Sequence, residues 1–538
     1  MEDAPPVELA MPGGPVVLTI IDGLGLSGDV EGNALRAARV PNLCFVDRTY
    51  IGGTLRASGE AVGLAPGEMG ASNVGHLHLG SGRPVLQDGL RIDRAIADGS
   101  FFENPALSEL MDEVRSNGST LHLLGLLSDG RVHSDIAHLR ALLTMARRRA
   151  VGRVAVHAFL DGRDVSPGTA SDYLESLDEE LVRSPDHRLA TISGRYYGMD
   201  RDHRWDRLGL ALAAILRGEG RPAGGAIEAA ETWLSAGESD EFVLPTVLGG
   251  YPGIEPRDAF ITFNYRADRM RQLADALLRP RVAEVDTTPL RGPARLITMT
   301  RYDPTFDCPA AFEPQEIDAT LGQAVSESGR AQLRLAETEK YAHVTYFLNG
   351  GREEPFPGED RVMVPSPGVA TYDECPEMSA EAVTDRLVEV LEGGRHDLIV
   401  VNYANPDMVG HTGDFDAAVC AVETVDRELG RFLEILDSVG GVAVILSDHG
   451  NAEKMINEVG PHTAHTSGEV PCFLVGREFH REGSLRFRDG GGLIDVAPTI
   501  LRIMGIPVPR AMTGECLFAA AGSPGETSRG DVLDGCRE

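Results

Sequence analysis

Gly441-Val442-Ala443-Val444-Ile445-Leu446-Ser447-Asp448-His449-Gly450-Asn451 is an apolar run that ends in a carboxylate beside an imidazole. The run is short, continuous and bounded by glycine, the pattern of a strand covered on both faces. Asp448 and His449 then stand at its carboxyl end. Upstream, Leu398-Ile399-Val400-Val401 leads into Asn405-Pro406-Asp407-Met408-Val409-Gly410-His411. Downstream follows Pro461-His462-Thr463-Ala464-His465-Thr466. Asp and His recurring at strand ends point to a metal site on a sheet rim.

Similar runs occur along the chain. Strands are expected at Val16–Ile21, Leu121–Leu127, Val154–Leu160, Leu189–Ile192, Ala259–Phe263, Leu296–Met299, Leu398–Val401 and Val442–Leu446. Helical periodicity covers Ile136–Arg148, Ala170–Val182, Asp206–Leu216, Ala380–Leu391 and Phe415–Ser438. This alternation predicts α/β layers around a parallel core. At 538 residues the chain exceeds one ordinary core, so two large domains are expected.

The polar clusters at the strand ends fall into two groups. Asp22, Asp407, His411, Asp448, His449 and His465 are carboxylate and imidazole. His133, Arg163, Arg195, Arg201, Arg266 and Arg269 are imidazole and guanidinium, and all lie between the two halves of the first group. A single metal site therefore requires the chain ends to meet and the middle to be an inserted domain. Crossings are expected near Gly82-Arg83-Pro84 and Cys308-Pro309-Ala310-Ala311.

Net charge is −32, which disfavours nucleic acid and anionic membranes as partners. An anionic substrate then needs a local concentration of arginine, whose planar fork binds phosphate and carboxylate. No apolar run approaches the roughly twenty residues of a membrane helix. The acidic N-terminus does not read as a secretion signal. Seven scattered cysteines fit a reducing compartment without a disulfide framework, hence a cytoplasmic enzyme. Residues 1–14 and 519–538 read as disordered extensions.

Two further segments have competing readings. Gly67-Glu68-Met69-Gly70-Ala71-Ser72-Asn73-Val74-Gly75-His76 offers Ser72 as a nucleophile or as the cap of a helix starting near Asn73. Local sequence slightly favours the cap. Lys340, one of only two lysines with Lys454, stands in Glu337-Thr338-Glu339-Lys340-Tyr341-Ala342-His343. It either neutralises a phosphate or forms a surface ion pair with Glu337 or Glu339, and the ion pair is the better local reading.

Taken in order, these motifs, with Leu126-Leu127-Ser128-Asp129-Gly130-Arg131-Val132-His133-Ser134, Asp161-Gly162-Arg163-Asp164 and Gly194-Arg195-Tyr196-Tyr197-Gly198-Met199-Asp200-Arg201-Asp202, resemble one family. It is the cofactor-independent (2,3-bisphosphoglycerate-independent) phosphoglycerate mutases of the alkaline phosphatase superfamily. The resemblance spans roughly residues 15–515. It implies a discontinuous, three-layer phosphatase-like domain, 15–86 with 313–518, and an inserted α/β substrate domain, 87–312.

The resemblance further implies two manganese ions, with magnesium, cobalt or zinc as alternatives, and no bisphosphoglycerate. Asp407, His411 and His465 match the ligands of one ion, and Asp22, Ser72, Asp448 and His449 those of the other. Ser72 matches a nucleophile that becomes phosphorylated. His133, Arg163, Asp164, Arg195, Arg201, Arg266, Arg269 and Lys340 match substrate-binding positions. The implied reaction interconverts 3-phosphoglycerate and 2-phosphoglycerate in glycolysis and gluconeogenesis, in a monomer. A metal-dependent phosphatase, phosphonate hydrolase or sulfatase on the same scaffold is the alternative, and a silent metal- and anion-binding protein is a third. Departures from the family pattern are Ala71 and Asn73 beside the serine, Arg131 where glycine is common, and Asp135 where histidine or arginine is frequent.

Overall fold

A computed structural model describes residues 13–237, 239–280, 284–457, 460–521 and 532–533. The chain divides into two compact units, Met1–Leu86 with Glu316–Glu538, and Gln87–Gln315. The α/β class expected from the strand and helix periods is the class observed.

In the discontinuous unit the sheet order is Glu359–Val364, Gln332–Glu337, Leu398–Tyr403, Val16–Ile21, Val442–Leu446, Val470–Val475, Ile51–Arg56 and Gly491–Gly492. The first five strands are parallel; Val470–Val475 runs antiparallel to both neighbours. Alternation within the central strands explains their unbroken hydrophobicity. Val16, Leu18, Ile20, Val442 and Val444 enter one buried cluster. Val17, Ile21, Ala443 and Ile445 enter another. Helices cover both faces, so neither set meets water.

The second unit repeats this logic. Its sheet order is Ala310–Phe312, Arg295–Thr300, Ala259–Thr262, Thr120–Leu127, Arg153–Leu160, His187–Gly194, Thr246–Leu248 and Arg221–Ala223. All pairs are parallel except His187–Gly194 with Thr246–Leu248. Leu121, Leu123 and Val154 pack on one side, Leu124, Leu126 and Phe159 on the other.

Two expectations need correction. Residues 1–12 and most of the expected tail lie outside the described residues. Within that tail, however, Phe518–Ala520 pairs with Leu485–Phe487. Val532 and Leu533 donate backbone N–H groups to the two Asp47 oxygens at 3.0 and 2.8 Å, and Leu533 is buried. Satisfied backbone and apolar burial outweigh the Gly/Pro/Ser composition around them. Cys44 is disulfide-bonded, so the chain is not free of disulfides, whereas Cys308, Cys375, Cys420, Cys472 and Cys516 are free.

A buried polar chain crosses the second sheet. His122 Nε2 lies 3.1 Å from Asp258 Oδ2, His122 Nδ1 2.9 Å from His157 Nε2, and His157 Nδ1 2.9 Å from Thr191 Oγ1. Burial, then the neighbouring His122, push His157 well below the ordinary imidazole range. Its folded pKa lies below its unfolded value. Stability from the neutral ring is therefore present above about pH 6.5 and is lost as pH falls, by about 1.4 kcal/mol per pH unit. Denaturant midpoints of the unit should fall from pH 7 to pH 5, and His157→Gln should flatten that slope. An unchanged slope in the variant would assign the acid sensitivity elsewhere.

Candidate active site

Three adjacent parallel strands bring the carboxylates to one rim. Val16–Ile21 lies between Leu398–Tyr403 and Val442–Leu446, with Ile21 opposite Tyr403 and Ile20 opposite Leu446. The residues just beyond their carboxyl ends therefore converge. They are Asp22, the helix Asn405–Gly410 bearing Asp407, and Asp448-His449. All four of these side chains are buried.

Ser72 reaches the same place from another element. It is the first residue of the helix Ser72–Ser81, whose N-cap is Ala71. The capping reading of Ser72 is thus overturned. Its Oγ lies 3.0 Å from Asp22 Oδ1, 2.9 Å from His449 Nε2 and 2.7 Å from Lys340 Nζ. Gly75 makes this approach possible, since a Cβ there would come within 2.7 Å of the Asp448 carbonyl oxygen.

Lys340 is not a surface residue. It is 2% exposed, and its Nζ donates to Asp22 Oδ1 at 2.8 Å and Asp407 Oδ2 at 2.6 Å, as well as to Ser72. Burial opposes its charge, but the Asp22 and Asp407 carboxylates outweigh burial and raise its pKa. The same competition operates at His449. Burial lowers it, Asp448 and Asp407 raise it, and the balance is pushed up to about 10. The rim is an electrostatic sink for cations.

The donor geometry fits divalent ions. Donor atoms of Asp407, His449 and His465 lie within 4.8 Å of one another, as do those of Asp22, Asp448 and His449. His411 and His465 direct their Nδ1 atoms at the carbonyls of Thr463 and Gly70, at 2.8 and 2.9 Å. With protons on Nδ1, both Nε2 atoms present lone pairs. They lie 3.0 Å apart, and 3.3 and 3.2 Å from Asp407 Oδ1. Lone pairs facing each other and a carboxylate make a site that a cation satisfies. Among the described residues neither carboxylate oxygen of buried Asp448 accepts a well-aligned hydrogen bond, although His76 Nδ1 stands 3.0 Å from Oδ2.

In the second unit the arginine group also converges. Arg195 is 2% exposed, with Nη1 2.6 Å from Asp161 Oδ1 and 2.5 Å from Asp164 Oδ2. Asp268 gathers Arg201 at 2.9 Å, Arg266 at 3.3 Å and His133 at 3.5 Å. Arg163 stands more exposed, 3.6 Å from Glu241. Burial, then Arg201, Arg195 and Arg163, lower the Arg269 pKa. Four guanidinium groups crowded together, several already paired with carboxylates, have the chemistry to hold an anion.

Several supporting residues carried no role in the sequence reading. Asp161 accepts from Ser128 Oγ and Arg195 Nη1, both at 2.6 Å, and from the backbone of Arg163 and Asp164, tying three strand-end loops together. Asn402 donates to Asp22 Oδ2 and Asn451 to Asp407 Oδ1, both at 2.8 Å. Their position at strand ends was the available signal.

A family model described as the metalloenzyme superfamily matches residues 14–508. A 2,3-bisphosphoglycerate-independent phosphoglycerate mutase of Symbiobacterium thermophilum is 51% identical, covering 94% of this chain and 98% of its own. That of Thermomicrobium roseum is 50% identical over the same shares. The chain belongs to the 2,3-bisphosphoglycerate-independent phosphoglycerate mutases. The solved phosphoglycerate mutase of Leishmania mexicana, crystallised at low cobalt concentration, superposes with a TM-score of 0.69 at 30% identity. The match covers 96% of this chain and 99% of that one. Superfamily and donor clusters together make this family member a divalent-metal enzyme. Among the described residues no helix is long and apolar enough to cross a membrane.

Proposed function

We propose that the chain interconverts 3-phosphoglycerate and 2-phosphoglycerate by passing the phosphoryl group through Ser72. The supporting observation is the Ser72 hydroxyl held among Asp22, His449 and Lys340 at 2.7–3.0 Å. A serine so placed has an oriented oxygen and a fixed cation beside it.

Ser72 Oγ bonds to phosphorus as the bond from phosphorus to the C3 oxygen breaks. The proton leaving Ser72 balances the one taken up by that oxygen. The glycerate reorients, and its C2 oxygen takes the phosphoryl group back, restoring the serine hydroxyl. His133, Arg163, Asp164, Arg195, Arg201, Arg266 and Arg269 bind the anionic substrate and retain the glycerate between transfers. Lys340 offsets phosphoryl charge at the serine.

Asp407, His411 and His465 would hold one manganese ion, and Asp22, Asp448, His449 and Ser72 a second. These ions supply a lowered serine pKa and charge neutralisation at phosphorus. One chain carries both residue sets, which supports a monomer, and the central-metabolic reaction supports a cytoplasmic location.

Purified protein with Mn²⁺ and 3-phosphoglycerate, without bisphosphoglycerate, should give signal through coupled enolase, and EDTA should abolish it. Release of inorganic phosphate in place of 2-phosphoglycerate would instead support the phosphatase alternative.

A further inference from the structure

The two departures around His133 are physically linked. Arg131 adopts φ +56, a left-handed conformation that favours glycine and costs an L-residue about 1–2 kcal/mol. Its guanidinium is held by two carboxylates. Nη1 lies 2.6 Å from Asp135 Oδ2, and Nη2 lies 2.6 Å from Asp93 Oδ2. Asp135 uses its other oxygen to cap the helix Ile136–Arg148, accepting from the Ala137 N–H at 2.8 Å. Asp93, on the helix Asp88–Asp98, uses its other oxygen to bind His138 Nε2 at 2.8 Å. Donor atoms of Asp93, Asp135 and His138 lie within 4.8 Å of one another. Arg131 provides positive charge to this group through its two carboxylates.

The Arg131 backbone then meets the substrate side of the unit. Tyr265 Oη donates to the Arg131 carbonyl at 2.6 Å. The Tyr265 N–H donates to the His133 carbonyl at 2.9 Å, and the Arg266 N–H to the same oxygen at 3.3 Å. The Tyr265 ring packs edge-on against His138, with centroids 5.6 Å apart. Two helices, the loop bearing His133 and the segment bearing Arg266 are thus joined by one network of ion pairs and hydrogen bonds.

We infer that Arg131, through Asp93 and Asp135, is a positioning residue that sets His133 and Arg266 for the phosphoglycerate anion. Where glycine would adopt the left-handed turn without strain, this chain uses a side chain held by two carboxylates. Asp135 supplies the anionic acceptor that pairs with Arg131; an arginine there could not accept, and a histidine could accept only as a neutral ring without the countercharge. The inference rests on the proposed reaction for its substrate.

The variants are R131A, R131G and D93N, assayed with Mn²⁺ and 3-phosphoglycerate. Each should raise KM about tenfold with kcat within about twofold, since the binding groups are misplaced and not removed. The double variant D93N/R131A should be no worse than R131A, because both changes break one network. R131G removes the backbone strain and so remains informative if R131A folds poorly. Calorimetric binding of 3-phosphoglycerate to the wild-type and variant proteins provides a readout independent of turnover. Lowered melting temperatures with unchanged KM and unchanged binding in all three variants would reduce Arg131 to a structural role and overturn the inference. Wild-type protein that binds but does not isomerise the substrate would overturn the proposed reaction while leaving the binding comparison intact.

Discussion

Ser72→Ala should abolish isomerisation while leaving a folded protein. The hydroxyl is an oriented oxygen nucleophile that can bond to phosphorus and leave again without breaking the chain's own structure. Its three neighbours act through it. Lys340 and His449 approach the same oxygen at 2.7 and 2.9 Å, and Asp22 at 3.0 Å. Removing the nucleophile from such a cooperative set costs nearly the whole rate enhancement, so turnover should fall by at least about 10⁴-fold. Stability should change by only about 1 kcal/mol, because Lys340 keeps both carboxylate partners and the helix cap is Ala71, not Ser72. Coupled-enolase rates and thermal melting measure the two quantities. Wild-type protein quenched during turnover should carry one phosphoryl group on Ser72, seen by mass spectrometry, and the variant none. Turnover by the alanine protein above about one per cent of wild type would remove the serine from the pathway.

The contrast between Ser72 and the metal-type residues shows what one sequence can disclose. Asp448-His449 and Asp407 were legible because each follows an apolar strand, and residues at the ends of parallel neighbours must meet at one rim. The β-strand Val16–Ile21 and the helices Ile136–Arg148 and Phe415–Ser438 were legible to the residue because hydrophobic period and chain boundaries agree there. Ser72 and Lys340 were not legible locally. The partners of Ser72 lie 50, 268 and 377 residues away, so nearby sequence offers only capping and surface pairing as explanations. Of the strands the sequence did not mark, the four that are six residues long were missed for related reasons. Ile51–Arg56 carries two glycines and Val470–Val475 a proline, while Glu359–Val364, at the sheet edge, opens with three consecutive charged residues. Gln332–Glu337 carries Arg334, which is fully buried, with Nη2 donating to Gln332 Oε1 at 2.7 Å and standing 3.9 Å from Glu359 Oε2. A buried guanidinium looks like a surface residue until its partners are known.

Lys340→Met should produce a stability loss that depends on metal. Asp22, Asp407 and Asp448 are all buried, and Lys340 is the lysine that donates directly to two of them. Asp22 and Asp407 are held far below the usual carboxylate range: burial raises them, but Lys340 and His449 together outweigh it. Methionine fills similar volume without charge. In chelator the variant keeps buried carboxylates stripped of a fixed countercharge, a loss of about 3–5 kcal/mol. Divalent cations bound by Asp407, His411, His465, Asp22, Asp448 and His449 should recover most of that loss, because ligand binding to the folded state adds stability by mass action. The expected result is a denaturation midpoint well below wild type in EDTA and close to it in saturating Mn²⁺. Activity should still fall by about 10²–10³-fold in Mn²⁺, since the ammonium beside the serine oxygen is missing when charge develops on the phosphoryl group. Equal destabilisation with and without Mn²⁺ would show that lysine and cations do not share one electrostatic task. In that outcome the three carboxylates would be structural, and the donor set at the rim would lose its meaning as a metal site.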